Sequence, residues 1–374
     1  MADYGRAAVL DKPNGTFSVH EYQVPDPAPG TFVLRTDLTG ICATDAHMYL
    51  GQFPGMKYPI VLGHEISGTL HSLGSGVTED TLGQPVKAGD NVVLVPGVPC
   101  RRCYYCTIAA TANRCENVKA YGFANDDDVP LSGGYSQYIY AQFPGTSFMK
   151  TSLPAEISVL NEPVSIAVHG IERAGMRLGS IALVQGSGAI GLGSVVMAQK
   201  AGAYKVIVVG GPKRRLELAK RMGADVVIDI AEVPDPAERL RIIRDETPKG
   251  RGVDAVFECT GFPSSLPEGF EAIRDSGKFI ELGHFTDTGS VSINPHHHLL
   301  KKNITIHAAW GGEVRYLAQA LPYLEKREHP YEEWVSHRLG LDEVQEGVDT
   351  LNRRGWVLRG AEEVVKIAIE PWKA

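Results

Sequence analysis

The stretch SIALVQGSGAIGLG, residues 180–193, decides the fold of the second half of this 374-residue chain. A short apolar run, typical of a buried β-strand, leads into a glycine-rich turn and then into a helical pattern. The glycines match G-x-G-x-x-G in the strand–turn–helix context that a dinucleotide site requires, where the helix N-terminus faces the phosphates. The pattern predicts cofactor contacts at Gly186, Gly188, Ala189, Ile190 and Gly191.

Strands and helices alternate on both sides of this loop. Helical patterns cover residues 189–201, 213–222 and 235–245. The strands between them are short and almost continuously apolar, as expected when helices cover both faces of a parallel sheet. In chain order they read SIALVQG, KVIVVG, DVVIDI, DAVFECTG, KFIELG and ITIHAAW. This region is therefore predicted to be a doubly wound α/β domain.

The first 150 residues have a different character. They are dense in glycine and proline and contain short β-like runs such as FVLRTDL, ISGTLHSL, NVVLVPG and YSQYIYA. Several short strands with turn residues between them predict a β-rich unit. The pattern changes near residue 160, which predicts a domain boundary there.

Composition excludes several classes of function. A net charge of −7 argues against nucleic acid or an anionic membrane surface as the main partner. No apolar run approaches the roughly 20 residues of a membrane span, and the N-terminus MADYGRAAVL has no signal-peptide pattern. We therefore expect a cytoplasmic protein.

Four of the six cysteines lie in the stretch CRRCYYCTIAATANRC. Their spacing, C-x2-C-x2-C-x8-C, supplies four thiolates with no open position, which is typical of a structural zinc site. An iron–sulfur cluster also uses four cysteines, and free thiols are the third interpretation. The pattern favours zinc bound by Cys100, Cys103, Cys106 and Cys115.

A second set of metal-ligating residues is dispersed over GICATDAH (40–47), GHE (63–65) and NEP (161–163). A catalytic zinc needs three protein ligands and one open position. Cys42, His64, Glu65 and Glu162 have suitable side chains. Taken alone, each residue favours a structural interpretation, Cys42 as a small buried apolar residue and His64 as a core histidine.

The surrounding motifs change that interpretation. GHEISGTLHSLGSGV, residues 63–77, matches GHE-x2-G-x5-G-x2-V and resembles the zinc motif of the medium-chain alcohol dehydrogenases. The cysteine lobe, GICATDAH and NEPVSIAVHG occur in that family's order, and Glu162-Pro163 is similar to its polyol/threonine dehydrogenase-like branch. The resemblance implies a GroES-like catalytic domain over 1–162 with a zinc lobe at 96–118. A Rossmann domain would cover 163–311, and residues 312–374 would return to the catalytic domain.

The resemblance also implies a set of catalytic roles. Cys42, His64 and Glu162 would bind the catalytic zinc, with Glu162 acting directly or through a water, and Glu65 would lie behind them or bind transiently. Asp45 would hydrogen-bond the second nitrogen of His64, as ligating histidines generally require.

A proton path accompanies these ligands. Thr44 would take the proton of the substrate hydroxyl, and His47 would pass it towards solvent. An imidazole with an ordinary pKa near 6.5 exchanges protons with water near neutral pH.

Cofactor preference depends on the end of the second strand of the α/β domain. In NAD-using relatives an acid there binds both ribose hydroxyls, but here Gly210 occupies the place, 24 residues after Gly186. Lys213, Arg214 and Arg215 follow, and the resemblance implies that Arg215 is the best placed of them for a 2′-phosphate. The pattern favours NADP, with NAD as the alternative. Further cofactor contacts are expected at Thr260, Leu282 and Gly283, and Lys366 is either a pyrophosphate contact or a solvated lysine.

These patterns predict a zinc-dependent alcohol dehydrogenase or ketone reductase that transfers hydride between an alcohol, secondary or polyol, and NAD(P), with two zinc ions per chain. The alternatives are a zinc-free quinone or enone reductase of the same superfamily and a non-catalytic nucleotide-binding protein. A homodimer or homotetramer is expected, with ITIHAAW as an edge for pairing. HHH at 296–298 is expected to be a solvated tract. Candidate pocket residues are Tyr49, Phe53, Tyr121, Phe123 and Trp310.

Overall fold

The computed structural model describes residues 3–53, 55–123, 130–352 and 364–373. The chain forms two compact units. One contains residues Met1–Glu162 together with Gly312–Ala374, and the other contains Pro163–Gly311. We call them the first and the second unit.

The second unit is built on a six-stranded parallel sheet with the order β12-β11-β10-β13-β14-β15. If β10 is counted as the first strand, this is the 3-2-1-4-5-6 order of a dinucleotide-binding sheet. All strands are parallel, but the chain adds strands on one side of β10 and then, starting with β13, on the other. The predicted doubly wound domain is therefore confirmed. The strands are β10 (Ile181–Gln185), β11 (Lys205–Gly210), β12 (Val226–Asp229), β13 (Val253–Glu258), β14 (Ile273–Glu281) and β15 (Thr305–Ala308).

Helices connect these strands as the sequence patterns predict. Apolar side chains of the strands, including Leu183, Ile207 and Val256, form one buried cluster with residues such as Ile243 and Phe270 from the helices. Burial of this surface is the main stabilising contribution. The helices are α4 (Asn161–Ala174), α5 (Ala189–Lys200), α6 (Lys213–Arg221), α7 (Pro236–Asp245) and α8 (Ser265–Ala272).

The glycine-rich loop is tightly folded between β10 and α5. Gly186 adopts φ +104°, a conformation that side chains disfavour, and its N–H donates to the Val209 carbonyl at 2.8 Å. A Cβ on Gly191 would lie 2.1 Å from the Gly186 carbonyl oxygen. Both positions therefore require glycine if the turn is to place the start of α5 against the strand end.

The first unit is mainly β-structure, as predicted. Its larger sheet has the order β16-β17-β3-β4-β5-β9, with β8 paired to β3, and β1 with β2 and β6 with β7 form two small antiparallel pairs. The strands are β1 (Tyr4–Leu10), β2 (Phe17–Gln23), β3 (Phe32–Gly40), β4 (Glu65–Leu73), β5 (Asn91–Leu94), β6 (Gly97–Val98), β7 (Lys119–Ala120), β8 (Tyr138–Ala141), β9 (Phe148–Lys150), β16 (Val335–Leu339) and β17 (Lys366–Ile369).

Short helices lie at the ends of these strands. Two apolar clusters hold the unit together, one around Leu10, Met48 and Ile367 and one around Leu34, Leu70 and Ile139. The helices are α1 (Ala43–Tyr49), α2 (Tyr104–Thr107), α3 (Ala155–Ser158), α9 (Val314–Glu325) and α10 (Val344–Leu351). Within the described ranges, no helix has both the length and the apolar character needed to cross a membrane.

The histidine tract is mostly exposed, as predicted, and is helical. Residues Pro295–Leu300 form a short π-helix whose Asn294 side chain accepts a hydrogen bond from the His297 N–H. His297 Nε2 lies 2.8 Å from the Glu271 carboxylate, and His298 Nε2 lies 3.5 Å from it. The sequence did not indicate this contact because Glu271 is distant in the chain.

The ion pair Arg239–Glu268 links α7 to α8 and provides a stability test. Arg239 Nε and Nη2 donate to the two carboxylate oxygens at 2.8 and 2.6 Å, and both side chains are about nine-tenths buried. Arg239→Met leaves a buried carboxylate unpaired and is expected to lower the free energy of unfolding by about 3 kcal/mol. Chemical denaturation measures this value.

The matched control is Arg241→Met on the same helix. Arg241 pairs with Glu238 and Asp245 at the surface, so its loss is expected to cost about 0.5 kcal/mol. Equal effects of the two substitutions would contradict the importance of the buried pair.

Candidate metal centres and dinucleotide site

The four lobe cysteines converge around one point. Cys103 Sγ lies 3.5 Å from Cys106 Sγ and 3.9 Å from Cys115 Sγ, and the four ligand atoms lie within 4.8 Å of one another. Four thiolates around a tetrahedral zinc with bonds of about 2.3 Å would be about 3.8 Å apart. The spacing therefore fits a closed zinc site.

Backbone N–H groups point at these sulfurs. Those of Cys100 and Asn117 donate to Cys115 Sγ at 3.2 and 3.4 Å. A hydrogen bond from the Arg102 backbone lowers the pKa of Cys100 to about 6. Hydrogen bonds from the backbone thus favour thiolate, the form that binds metal, at Cys100 and Cys103, whereas burial raises the pKa of Cys106 to about 12 and also raises that of Cys115.

The second metal cluster lies at the ends of two paired strands. Antiparallel β3 and β4 place Gly40 opposite Glu65, so that Cys42, two residues after β3, comes beside His64, the residue before β4. The ligand atoms of Cys42, His64 and Glu65 lie within 4.8 Å of one another. His64 and Glu65 are fully buried.

Asp45 connects both ligand segments. Its carboxylate accepts hydrogen bonds from the N–H of Cys42 at 2.8 Å and from the N–H of Gly63 at 3.3 Å. Its Oδ1 lies 3.4 Å from His64 Nδ1, and both side chains are buried. Asp45 therefore lies where the resemblance expects it, and leaves His64 Nε2 for a metal.

The electrostatics of this cluster fit a cation. Burial alone would lower the pKa of His64, but Asp45 and the Cys42 thiol outweigh it, and the pKa lies well above its usual value. The surrounding acids thus attract positive charge to the position that a zinc ion would take. A thiolate, an imidazole and a carboxylate form a donor set that zinc accepts.

The two candidate carboxylate ligands differ in their surroundings. Glu65 Oε2 lies 2.5 Å from the Nζ of buried Lys366. Glu162 is the second residue of α4, and burial, with Glu65 adding to it, raises the pKa of its carboxyl to about 7. The structure groups Glu65, rather than Glu162, with Cys42 and His64. Lys366 is therefore buried and paired with Glu65, and the prediction of a solvated lysine is wrong.

The proposed relay residues lie on α1. Thr44 Oγ1 is 3.5 Å from Cys42 Sγ, which places its hydroxyl beside the metal cluster. His47 Nδ1 is 2.5 Å from Gln52 Oε1. If Nδ1–H donates to this amide oxygen, Nε2 is the basic nitrogen. Gln52 was missed by sequence reasoning, because an amide in a loop has no characteristic pattern.

One of the five candidate pocket aromatics contacts this cluster. The ring of Phe123 stacks on the His64 imidazole with centroids 4.0 Å apart. Tyr49 and Tyr121 are buried, and Phe53 packs against the core of the first unit. Trp310 belongs to the second unit and is half-exposed.

The dinucleotide loop is joined to the end of β11. Ser187 Oγ donates to the Gly211 carbonyl at 2.9 Å. Arg215 lies in the first turn of α6, and its side chain extends back to the glycine-rich loop. Its Nη1 lies 3.9 Å from the position that a Cβ on Gly188 would take. Asp229, at the end of β12, lies opposite Gly210. Sequence reasoning missed Asp229, although its place at the end of DVVIDI marked it.

The remaining predicted cofactor contacts also lie at the carboxyl ends of the strands of this sheet. A Cβ on Gly186 would come within 3.1 Å of Thr260 Cγ2, and one on Gly261 would lie 2.6 Å from the Gly283 carbonyl oxygen. Leu282, between β14 and Gly283, is buried and its N–H donates to the Glu258 carbonyl. Three loops therefore meet at the carboxyl ends of the strands, where ligands of such sheets bind.

Comparison with known proteins agrees with this geometry. Residues 28–150 match the alcohol dehydrogenase GroES-like domain, and residues 189–326 match the zinc-binding dehydrogenase family. A 5-exo-hydroxycamphor dehydrogenase of Pseudomonas putida is 32% identical over 92% of this chain and 95% of its own length. The chain belongs to the zinc-binding medium-chain alcohol dehydrogenases. An L-threonine 3-dehydrogenase of Pyrococcus horikoshii is 32% identical over 83% of this chain and 84% of its own length.

The structural comparison extends over the whole chain. An alcohol dehydrogenase of Thermotoga maritima superposes with a TM-score of 0.91 and 28% identity, covering 99% of this chain and all of the other. The protein is thus a zinc-dependent, NAD(P)-linked dehydrogenase of alcohols or polyols, EC 1.1.1.-. The predicted family, branch and enzyme class are confirmed. The matches favour this assignment over a zinc-free reductase or a non-catalytic nucleotide-binding protein.

Metal analysis of single cysteine variants tests the assignment of the two clusters. The native chain is expected to hold about two zinc ions, one in each cluster. Cys42→Ala is expected to hold about one zinc and to lose at least about a hundredfold in turnover while its circular dichroism is unchanged, because an open catalytic site loses a ligand.

Two further variants complete this test. Cys103→Ser is expected to lose the lobe zinc and to unfold at lower temperature. Cys259→Ala is the matched control, since its sulfur lies beside Ser194 and a strand carbonyl in the second unit, and should keep both ions. Unchanged turnover in Cys42→Ala would rule out its role as a catalytic ligand.

Proposed function

We propose that this dehydrogenase interconverts an apolar secondary alcohol and its ketone, with NADP as the preferred cofactor. The observation that carries the substrate class is the Phe123 ring stacked on His64. An aromatic wall beside a metal ligand favours an apolar substituent over a polyol chain, whose hydroxyls would lose their hydrogen bonds to water there. The hydroxycamphor dehydrogenase relative acts, by its name, on such a cyclic alcohol.

Cys42 and His64 would hold the catalytic zinc, with Glu162 as the third ligand, directly or through a water. Glu65, paired with Lys366, would bind transiently. Zinc, when bound, supplies a Lewis acid that makes the substrate hydroxyl more acidic. Asp45 fixes the ring of His64, and the second zinc stiffens the lobe through its four cysteines.

Thr44 and His47 would carry the proton. In the balanced reaction a secondary alcohol and oxidised NAD(P) give a ketone, reduced NAD(P) and a proton. The carbinol carbon loses hydride to the nicotinamide, and the hydroxyl oxygen loses the proton. The Thr44 hydroxyl accepts that proton and donates its own onward, and His47 releases it to water. Gln52 holds the His47 ring in one orientation.

The second unit would bind the dinucleotide. The pyrophosphate would lie on Gly186, Gly188, Ala189, Ile190 and Gly191 at the start of α5. Gly210 would face the adenosine ribose, and Thr260, Leu282 and Gly283 would contact the nicotinamide half. This division keeps catalytic residues in the first unit and cofactor residues in the second.

Support for NADP comes from charge. Gly210 offers no carboxylate to repel a 2′-phosphate, and Arg215 reaches the glycine loop. NAD is the second candidate, because Asp229 Oδ1 would lie 3.8 Å from a Cβ on Gly211. A carboxylate so close to the ribose site favours hydroxyls over a phosphate.

We further propose a cytoplasmic homodimer or homotetramer. β15 is an edge strand of the second unit's sheet, and Ile306 on it is half-exposed. An unpaired, partly apolar edge favours pairing with a second copy.

A turnover screen tests the substrate class. Cyclic and branched secondary alcohols are expected to give kcat/KM at least about tenfold above sorbitol, arabinitol or threonine, because the Phe123 wall excludes hydroxyl-rich chains. Phe123→Ala should raise KM for the apolar alcohols. Phe53→Ala, which removes another partly buried ring packed against the same apolar cluster, is the control. Higher turnover of a polyol or threonine would overturn the proposal.

Substitution of Gly210 tests the cofactor. Gly210→Asp is expected to weaken NADP binding at least about tenfold more than NAD binding, through repulsion of the 2′-phosphate. A Cβ here would lie 2.8 Å from Ser187 Oγ, so Gly210→Ala is the control for the steric effect common to both variants. If the native chain binds NAD more tightly than NADP, and Gly210→Asp and Gly210→Ala bind NADP with the same affinity, NAD is the cofactor.

A further inference from the structure

Two buried acids lie side by side at the edge of the second unit where the dinucleotide is proposed to bind. Parallel β13 and β14 pair Glu258 with Glu281 in register at the last residue of each strand. Glu258 is fully buried, and the Glu281 side chain is about four-fifths buried. Carboxylates are rarely buried in this way without a compensating cation.

Backbone N–H groups donate to both acids. Glu258 accepts from the N–H of Thr260 at 2.8 Å, from the N–H of Gly261 and from the hydroxyls of Thr260 and Ser265. Glu281 Oε1 accepts from the N–H of Gly283 at 3.0 Å. The backbone N–H groups among these partners can only donate, which favours the charged form of a carboxylate. Burial opposes this and raises the pKa of Glu258.

His284 lies between the two carboxylates. Its Nδ1 is 3.0 Å from Glu281 Oε1 and 3.3 Å from Glu258 Oε2. In the described parts of the chain, neither acid pairs with a lysine or an arginine. One imidazole offsets at most one charge, so two carboxylates in this group leave a net negative charge.

A metal ion does not explain this group, although its three ligand atoms lie within 4.8 Å. Glu281 Oε1 already accepts from the N–H groups of Gly283 and His284 and lies 3.0 Å from His284 Nδ1. A cation there would meet the positive ends of those dipoles. Two buried atoms remain without a hydrogen-bond partner, Glu281 Oε2 and His284 Nε2.

The loops fix the position of this charge relative to the dinucleotide site. A Cβ on Gly283 would lie 2.3 Å from Glu258 Oε2 and 2.4 Å from the Gly261 nitrogen, so glycine is needed for the carboxylate to fit. Thr260, Leu282 and Gly283 are the residues proposed to contact the nicotinamide half. The acid cluster therefore adjoins the loops that are proposed to contact that half of the cofactor.

We propose that Glu258, Glu281 and His284 form a negatively charged cluster that favours the oxidised, cationic nicotinamide over the reduced, neutral one. The inference rests on the proposed placement of the cofactor. The two forms share the adenosine, the pyrophosphate and both riboses, so the ratio of their dissociation constants isolates the charge of the ring. The cluster makes the protein bind the substrate form of the cofactor for alcohol oxidation more tightly than it would otherwise.

Calorimetric titration of the zinc-loaded full chain with NAD+, NADH, NADP+ and NADPH tests this. Glu281→Gln keeps an oxygen for the loop N–H groups but removes one charge. It is expected to raise the ratio of oxidised to reduced dissociation constants on the order of tenfold. Asp245→Asn, at the end of α7 on the opposite edge of the sheet, removes the same charge and should leave the ratio unchanged.

Glu258→Gln is the second variant if Glu281→Gln does not fold, and the same direction is expected. Parallel weakening of both forms, with an unchanged ratio, would show a merely structural role and would overturn the inference while leaving the proposed function intact. Failure of the native chain to bind any of the four dinucleotides would overturn both.

Discussion

The carboxylate of Asp45 is the interaction on which the first unit's metal cluster depends. It joins the N–H of Cys42, the N–H of Gly63 and the imidazole of His64, so it holds the two ligand segments at one separation. Burial makes each of these contacts strong, because no water competes for the carboxylate. Without Asp45, His64 would lose the partner that fixes its ring and the start of α1 would lose its acceptor.

Strand register brings these segments together in the first place. Gly40 opposite Glu65 determines that residues 42 and 64 meet at one end of the sheet. The same pairing brings Glu65 to Lys366 of β17, the other neighbour of β3. Lys366 offsets one acid, but Asp45, Glu162 and the Cys42 thiol still attract positive charge.

Much of this arrangement was predictable from sequence, because it depends on local patterns. The glycine-rich loop, the alternating strands and the cysteine spacing each indicate structure within a few residues, and the motif at 63–77 indicated the family. What could not be predicted depends on register between distant segments. The contact of Lys366 with Glu65, the approach of Asp229 to Gly211 and the alignment of Glu258 with Glu281 all arise from strand pairing. Gln52 has no pattern of its own and becomes visible only beside His47.

The proposed metal site and the acid cluster of the second unit share one electrostatic design. Each buries more acidic than basic side chains, which is unfavourable in isolation. At the first, zinc supplies the compensating charge, and at the second the oxidised nicotinamide would supply it. A fixed lysine or arginine could neutralise either cluster permanently, but it would then compete with the ligand for the same carboxylates. His284 and Lys366 each offset part of the charge, so that the remainder is available to attract the ligand.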